Sequence, residues 1–474
     1  MTDELTEIDA QARHWITKCQ SCSVGSPEWI ASRCELGGVM YRREAVLEQR
    51  HVVSVLDRFR IENAPSSPGK SFCPQCQKTD VWSNVRQPKF RSCCGTRVCS
   101  DCFVDHDECC HEACRTNDMA EIALVAQEKH QPWALYRMGL LVAKTDMELS
   151  AHYFKSAAEL DHAVSLYILG MAHASGVNPF LKEDADVASE YLEKAARLGH
   201  PESQYRLGVL WLERASPDIQ RPKQQQQQQQ QQQESFRRGM YWTTLAAATG
   251  NADAQAILAS LYMNARGGTQ QQTLLKPNLE RSKYWATQGA THHNHATCQF
   301  LLAQAMIILG KQTYQGNLTI AGYSPIPQVV YWLRTSQQNG NDKAGTVLSN
   351  VLKSTQAKCA NCQKPKITPF GSNHLMACGQ CRTTYYCSKQ CSVQHWKKGH
   401  KRDCVKMPII SKTTSPSKND DKNDENIVNH TTDTSETLTF FFSDAEGDDT
   451  TKTTTTTTIP WSSLGGDSWL DLLN

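Results

Sequence analysis

Between Cys359 and Cys404 the chain places seven cysteines and one histidine in four close pairs: Cys359 with Cys362, Cys378 with Cys381, Cys387 with Cys391, and His400 with Cys404. Zinc prefers thiolate and imidazole, and a Cys-x2-Cys turn lets both sulfurs reach one ion at about 2.3 Å. A tetrahedral ion takes four such ligands, so eight of them in this short segment predict two zinc ions. With every position filled by protein, neither ion can activate a water or polarise a substrate carbonyl, and their expected role is structural. So small a module buries too little surface to fold alone, and zinc binding worth roughly 10–16 kcal/mol supplies the deficit. His374 and His395 have no pair partner and stand outside both expected sets.

These ligands sit among Tyr385-Tyr386-Cys387-Ser388-x2-Cys391 and Gln394-His395-Trp396-x3-His400-Lys401-x2-Cys404, which resemble the MYND-type zinc finger. The resemblance implies an interleaved topology. One ion would take Cys359, Cys362, Cys387 and Cys391, and the other Cys378, Cys381, His400 and Cys404. It also implies a peptide-binding module, with Gln394 and Trp396 lining a groove for proline-containing motifs. From the residues alone, Trp396 is equally a packing tryptophan. The one departure is a long first spacer, Gln363 to Ala377, which lengthens a loop.

A second cluster comprises Cys73-x2-Cys76, Cys93, Cys94, Cys99-x2-Cys102, Cys109, Cys110, His111 and Cys114. Knuckle spacing predicts one zinc at Cys73, Cys76, Cys99 and Cys102. A second zinc would draw on Cys93 or Cys94 together with two of Cys109, Cys110, His111 and Cys114, with His106 a candidate addition to that set. Cys94, Cys110 and Cys114 are one such set. The cluster resembles a RING-like finger, although a Cys-x-His centre is missing and Cys110-x3-Cys114 or His111-x2-Cys114 stands where that family has Cys-Pro-x-Cys. That resemblance implies an alternative function, a ubiquitin ligase that holds a charged ubiquitin-conjugating enzyme. Against it stands a zinc-stapled fold with no ligase role. Further upstream, Cys19 and Cys22 have ligand spacing, but only Cys34 is nearby, and the three are read as ordinary thiols.

The element between the clusters is repetitive. Leu135-Tyr136-Arg137-Met138-Gly139 recurs as Leu166-Tyr167-Ile168-Leu169-Gly170 and Gln204-Tyr205-Arg206-Leu207-Gly208, with Ala259 and Ala303 at the glycine's place further on. A second pattern runs Tyr153-Phe154, Tyr191-Leu192, Tyr241-Trp242, Tyr284-Trp285, Tyr331-Trp332, followed early on by Ala157-Ala158 and Ala195-Ala196. Each copy has two apolar-periodic segments separated by a turn, as in stacked helical hairpins. The small residue lets two helices approach while the aromatic fills the space between them, and each hairpin buries its apolar face on its neighbours. The pattern resembles the Sel1-like repeats, a solenoid family related to the tetratricopeptide repeats whose members commonly hold other proteins. Thr335-Ser336 replaces the Ala-Ala pair in the last copy.

The expected fold is therefore mostly α: an α-solenoid of Sel1-like hairpins flanked by two small zinc-stabilised fingers, with a disordered C-terminal tail. Residues 1–66 stay unassigned, 67–118 form the RING-like cluster, 130–353 the repeats, 359–404 the MYND-type finger and 409–474 the tail. Gln224–Gln233 is expected as a loop within one hairpin, since lengthening a loop costs only about 0.6 kcal/mol per doubling. The tail is rich in Thr, Ser, Asp, Asn and Lys and keeps no apolar period. Its two apolar spots, Leu438 to Asp444 and Ser468 to Leu473, could dock in a partner groove.

A net charge of +2 over 474 residues draws no polyanion by itself, so nucleic acid is not an expected partner. An acidic start, MTDELTEIDA, is no signal peptide, and no apolar run is long enough to span a membrane. Twenty cysteines in such a chain read as metal ligands in a reducing compartment, cytoplasmic or nuclear. No SET-type methyltransferase motif, phosphate-binding glycine loop or nucleophile elbow is found. The expected function is a zinc-binding scaffold or adaptor that binds other proteins through both the finger and the solenoid.

Overall fold

In the computed structural model, residues 4–62, 89–91, 96–98, 119–176, 178–215, 225–264, 275–313, 324–355, 358–364 and 375–407 are described. They fall into two compact units, residues 4–18 with 35–298 and residues 19–34 with 299–407. The region expected as unassigned is two helices, α1 (Glu4–Ser21) and α2 (Pro27–Glu62). The Ser26 hydroxyl accepts from the Trp29 amide at 3.1 Å and Pro27 opens the first turn, both favourable at a helix start. Ile8 and Ala12 of α1 pack on Val39 of α2, and Arg43 pairs with Asp9 at 2.7 Å. Beyond them, β1 (Lys89–Arg91) pairs antiparallel with β2 (Thr96–Val98).

In the first unit, α3 (Met119–Lys129) precedes four helix pairs: α4 (Pro132–Val142) with α5 (Met147–Glu159), α6 (Ala163–Ser175) with α7 (Ala185–Arg197), α8 (Pro201–Arg214) with α9 (Gln225–Ala248), and α10 (Ala252–Asn264) with α11 (Leu279–His292). The small-residue pattern lies on the first helix of each pair and the aromatic pattern on the second. A Cβ added at Gly139 would lie 2.8 Å from the Phe154 ring, and one at Gly170 would lie 2.9 Å from Leu192. No side chain fits there, which is why these positions are glycine. Ser150 donates its hydroxyl to the Gly139 carbonyl at 2.8 Å, and Ser282 does the same to Ala259 at 2.7 Å. Ala259 is fully buried at the glycine's place.

Each pair is joined to the next by one recurrent turn. Asp161, Gly199, Gly250 and Asn294 take positive φ, a conformation that Gly, Asn and Asp tolerate best. The following residue then caps the next helix. His162 accepts from the Ser165 amide at 3.2 Å, His200 from Ser203 at 3.2 Å, and Asn251 from Ala254 at 2.8 Å. His295 accepts more weakly from Cys298, at 3.4 Å.

The glutamine run departs from expectation. From Gln225 onward it is the opening of α9, not a loop. Glutamine's unbranched side chain loses little freedom in a helix, so a run adjoining a packed helix extends it.

In the second unit α12 (Ala296–Thr313), which begins in the first unit, is followed by α13 (Ile326–Gln338) and α14 (Asp342–Thr355). Asn339 donates to the Gln299 side chain at 2.9 Å, and Gly340 repeats the positive-φ turn ahead of Asn341. After α14 come β3 (Met376–Ala377), β4 (Tyr385–Tyr386) and α15 (Lys389–His395). No helix among the described residues is long and apolar enough to cross a membrane.

Candidate metal centre

Two short turns and one helix position the ligands at residues 359–404. Each Cys-x2-Cys turn closes with a residue in positive φ, Gln363 at 58° and Arg382 at 54°. In the first the Gln363 amide donates to the Cys359 carbonyl at 2.9 Å, and in the second Arg382 donates to Cys378 at 3.0 Å. The β3–β4 pairing sets Met376 opposite Tyr386, and the Ala360 amide donates to Tyr385 at 2.9 Å, tying the first turn to the hairpin. Ser388 caps α15 by accepting from the Cys391 amide at 3.2 Å. After α15 the chain loosens into a wider turn, Trp396–His400. Gly399 there takes a φ of 155° that a side chain would resist, and the turn delivers His400 to the second cysteine pair.

The ligand atoms of Cys359, Cys362, Cys387 and Cys391 all lie within 4.8 Å of one another, and so do those of Cys378, Cys381, His400 and Cys404. Individual separations are 3.5 Å for Cys362–Cys387, 3.5 Å for Cys387–Cys391 and 3.9 Å for Cys378–Cys404. His400 Nε2 lies 3.4 Å from Cys378 Sγ and 3.7 Å from Cys381 Sγ. A zinc with bonds of about 2.3 Å to sulfur and 2.0–2.1 Å to nitrogen needs ligand atoms about 3.6–3.8 Å apart in a tetrahedron. The two groups therefore fit two zinc ions, and the pairs interleave: first with third, second with fourth. Cys359 and Cys381 are fully buried, whereas Cys362 and Cys387 are exposed.

His395 belongs to neither group. Its Nδ1 shares a 3.0 Å hydrogen bond with the Tyr386 hydroxyl, and its ring stacks 5.1 Å from that of His400. Burial, followed by the neighbouring His400, pushes its pKa down to about 4, so it is a neutral packing residue. Gln394 and Trp396 flank it in sequence. Gln394 accepts from the Asn361 side chain at 2.9 Å, and Asn361 accepts in turn from Lys398 at 3.2 Å. Trp396 stands edge-on to His400 and leaves 37% of its surface exposed, and Val393 leaves 47%. Asn361 and Lys398 are additions to the set read from the sequence. They were missed because Asn361 meets Gln394 only through the fold, across 33 positions.

The upstream ligand candidates Cys73, Cys76, Cys93, Cys94, Cys99, Cys102, His106, Cys109, Cys110, His111 and Cys114 lie outside the described residues. So do His374, Gln224 and the tail 409–474. Cys19, Cys22 and Cys34 are half-buried thiols and enter neither ligand group.

The MYND finger family matches residues 359–404, and the Sel1 repeat family matches 134–162, 163–200, 201–221 and 252–294. The chain is 35% identical over 63 residues to ubiquitin carboxyl-terminal hydrolase 17 of Arabidopsis thaliana, a match that covers 13% of this chain and spans only 7% of that relative. Among solved structures it is similar to a Sel1 repeat protein from Oxalobacter formigenes, with 21% identity, a TM-score of 0.37, and coverage of 49% of this chain and 85% of that one. It is also similar to c5321, a protective antigen of uropathogenic Escherichia coli with an SLR fold, with 16% identity, a TM-score of 0.38, and coverage of 74% and 65%. Interleaved ligand groups at residues 359–404 and glycine-packed hairpins before them agree with the family matches: the chain carries a MYND finger and, within residues 134–294, Sel1 repeats.

Proposed function

We propose that this protein is an adaptor that holds other proteins and performs no chemistry of its own at the finger. The observation that carries this reading is the closure of both ligand groups, each of which offers four protein atoms to an ion that takes four. A zinc so enclosed staples the fold and presents α15 and the wide turn after it as a rigid surface. On that surface Gln394 is oriented by Asn361 while Trp396 and Val393 face solvent. A flat, half-exposed indole beside a fixed amide suits an extended proline-containing peptide, whose rings stack on aromatic faces and whose carbonyls accept hydrogen bonds.

The test is fluorescence-polarisation titration of the full-length zinc-loaded protein with a panel of proline-containing peptides. The reading expects one or more peptides to bind in the micromolar range. Trp396→Ala should weaken binding tenfold or more at unchanged zinc content. Binding indifferent to Trp396, or no binding across the panel, would remove the finger from the partner-binding role.

A further inference from the structure

Residues 35–62 of α2 lie against the Sel1 hairpins of the first unit, and their contacts form a recognition pattern. Glu48 is fully buried. Its carboxylate accepts from the Tyr262 hydroxyl at 3.1 Å and the Trp285 indole at 2.9 Å, and pairs with Arg281 at 3.2 Å. One turn earlier, Glu44 accepts from the Asn278 amide at 3.0 Å and from Arg281 Nε at 3.0 Å. Further along the same face Val55, Leu56 and Phe59 pack on Leu207, Leu210, Trp242 and Leu245. The donors on α10, α11 and the residue capping α11 thus form a receptor for two carboxylates spaced i, i+4, and α8 and α9 form an apolar seat beside it.

We propose that this face is a binding site for an acidic amphipathic helix of a partner protein, and that α2 is its built-in competitor. The proposal rests on the adaptor reading of the Sel1 hairpins and is independent of Trp396. Two observations support it. Burying a carboxylate among polar donors adds little net stability compared with apolar packing, so the donor set selects what binds more than it strengthens the core. Finally, α2 carries Gly37 and Gly38 in its interior, where an added Cβ would meet nothing within 4 Å. Packing does not require them, and each weakens the helix relative to alanine. The partner helix would present Glu or Asp at i and i+4 and apolar residues at i+8, i+11, i+12 and i+15, the spacing of Glu44, Glu48, Val52, Val55, Leu56 and Phe59.

The test uses the full-length protein and a fluorescein-labelled synthetic peptide of residues 35–62 as the probe. E44K/E48K, which places lysines against Arg281, should release α2 and bind the peptide at least tenfold more tightly than the wild type. Adding Arg281→Met to that variant should remove most of the gain. G37A/G38A, which strengthens α2 without touching its seat, should weaken peptide binding at least threefold relative to the wild type. Equal binding by the wild type and a folded E44K/E48K would overturn the proposal. If that variant does not fold, G37A/G38A decides, and unchanged peptide binding there overturns it.

Discussion

Gly139 and Gly37 both sit inside helices, yet an added methyl group meets opposite surroundings at the two sites. At Gly139 it would lie 2.8 Å from the Phe154 ring, and at Gly37 it would meet nothing within 4 Å. Gly139→Ala is therefore expected to destabilise the protein by about 1–3 kcal/mol through overpacking, and a second change, Phe154→Leu, should recover part of the loss. Gly37→Ala should instead stabilise α2 by about 0.5–1 kcal/mol. Urea unfolding of the three variants measures both signs. Among the candidate ligands, Cys381→Ser should lower bound zinc by about one ion per chain, as read by atomic emission, whereas Cys19→Ser should leave the zinc content unchanged. The eight candidate ligands could be grouped from the sequence because each pair is made locally, by a turn of four or five residues. The Asn361–Gln394–Lys398 contacts were not, because their partners come together only once the ligand groups close.

The helix pairs were legible from glycine and aromatic spacing, and the structure explains that pattern as close approach between the two helices of a pair. The turn between pairs is an equally regular signal that the sequence reading passed over: Asp161-His162, Gly199-His200, Gly250-Asn251, Asn294-His295 and Gly340-Asn341. In three of the five a histidine ring does the work of a capping asparagine, and it can accept an amide hydrogen only while neutral. Burial, followed by the neighbouring His162, pushes the His200 pKa down to about 4 from an ordinary value of 6.5. The unfolded chain thus takes up a proton at His200 more readily than the folded one. The stability this cap supplies is complete above pH 6.5 and is lost as the pH falls from 6.5 toward 4. Thermal unfolding followed by circular dichroism should show a midpoint that drops over that interval, with His200 contributing about 3 kcal/mol at its lower end. His200→Asn keeps a capping oxygen without a titrating ring and should flatten the slope. An unchanged slope would assign the acid sensitivity to other groups.

Across the whole molecule, the two kinds of stabilisation are physically different and should come apart under chelation. The described helix pairs of the first unit are held by apolar clusters such as that of Phe154, Leu166, Ile168 and Leu169. The finger has few buried large side chains, Tyr386 chief among them, and its closure depends on ligand groups whose thiolates repel one another without an ion. That α2 belongs with the hairpins was not legible, because its carboxylates find their partners more than 200 positions away. The link between the finger and the helices of its own unit was equally hidden: the Asp403 carboxylate accepts from the Ser324 amide at 3.3 Å, just before α13. Removal of zinc with a strong chelator, followed by hydrogen exchange, should abolish amide protection across residues 375–407. Protection at Ser324 and the first turn of α13 should fall with it, by tenfold or more. Amides of α4 to α11 should keep their protection, since the cores described for these helices are built from apolar side chains of the hairpins and of α2. Loss of protection throughout α4 to α11 would show that the hairpins depend on the finger for their stability, and the separation of roles argued from their cores would fail.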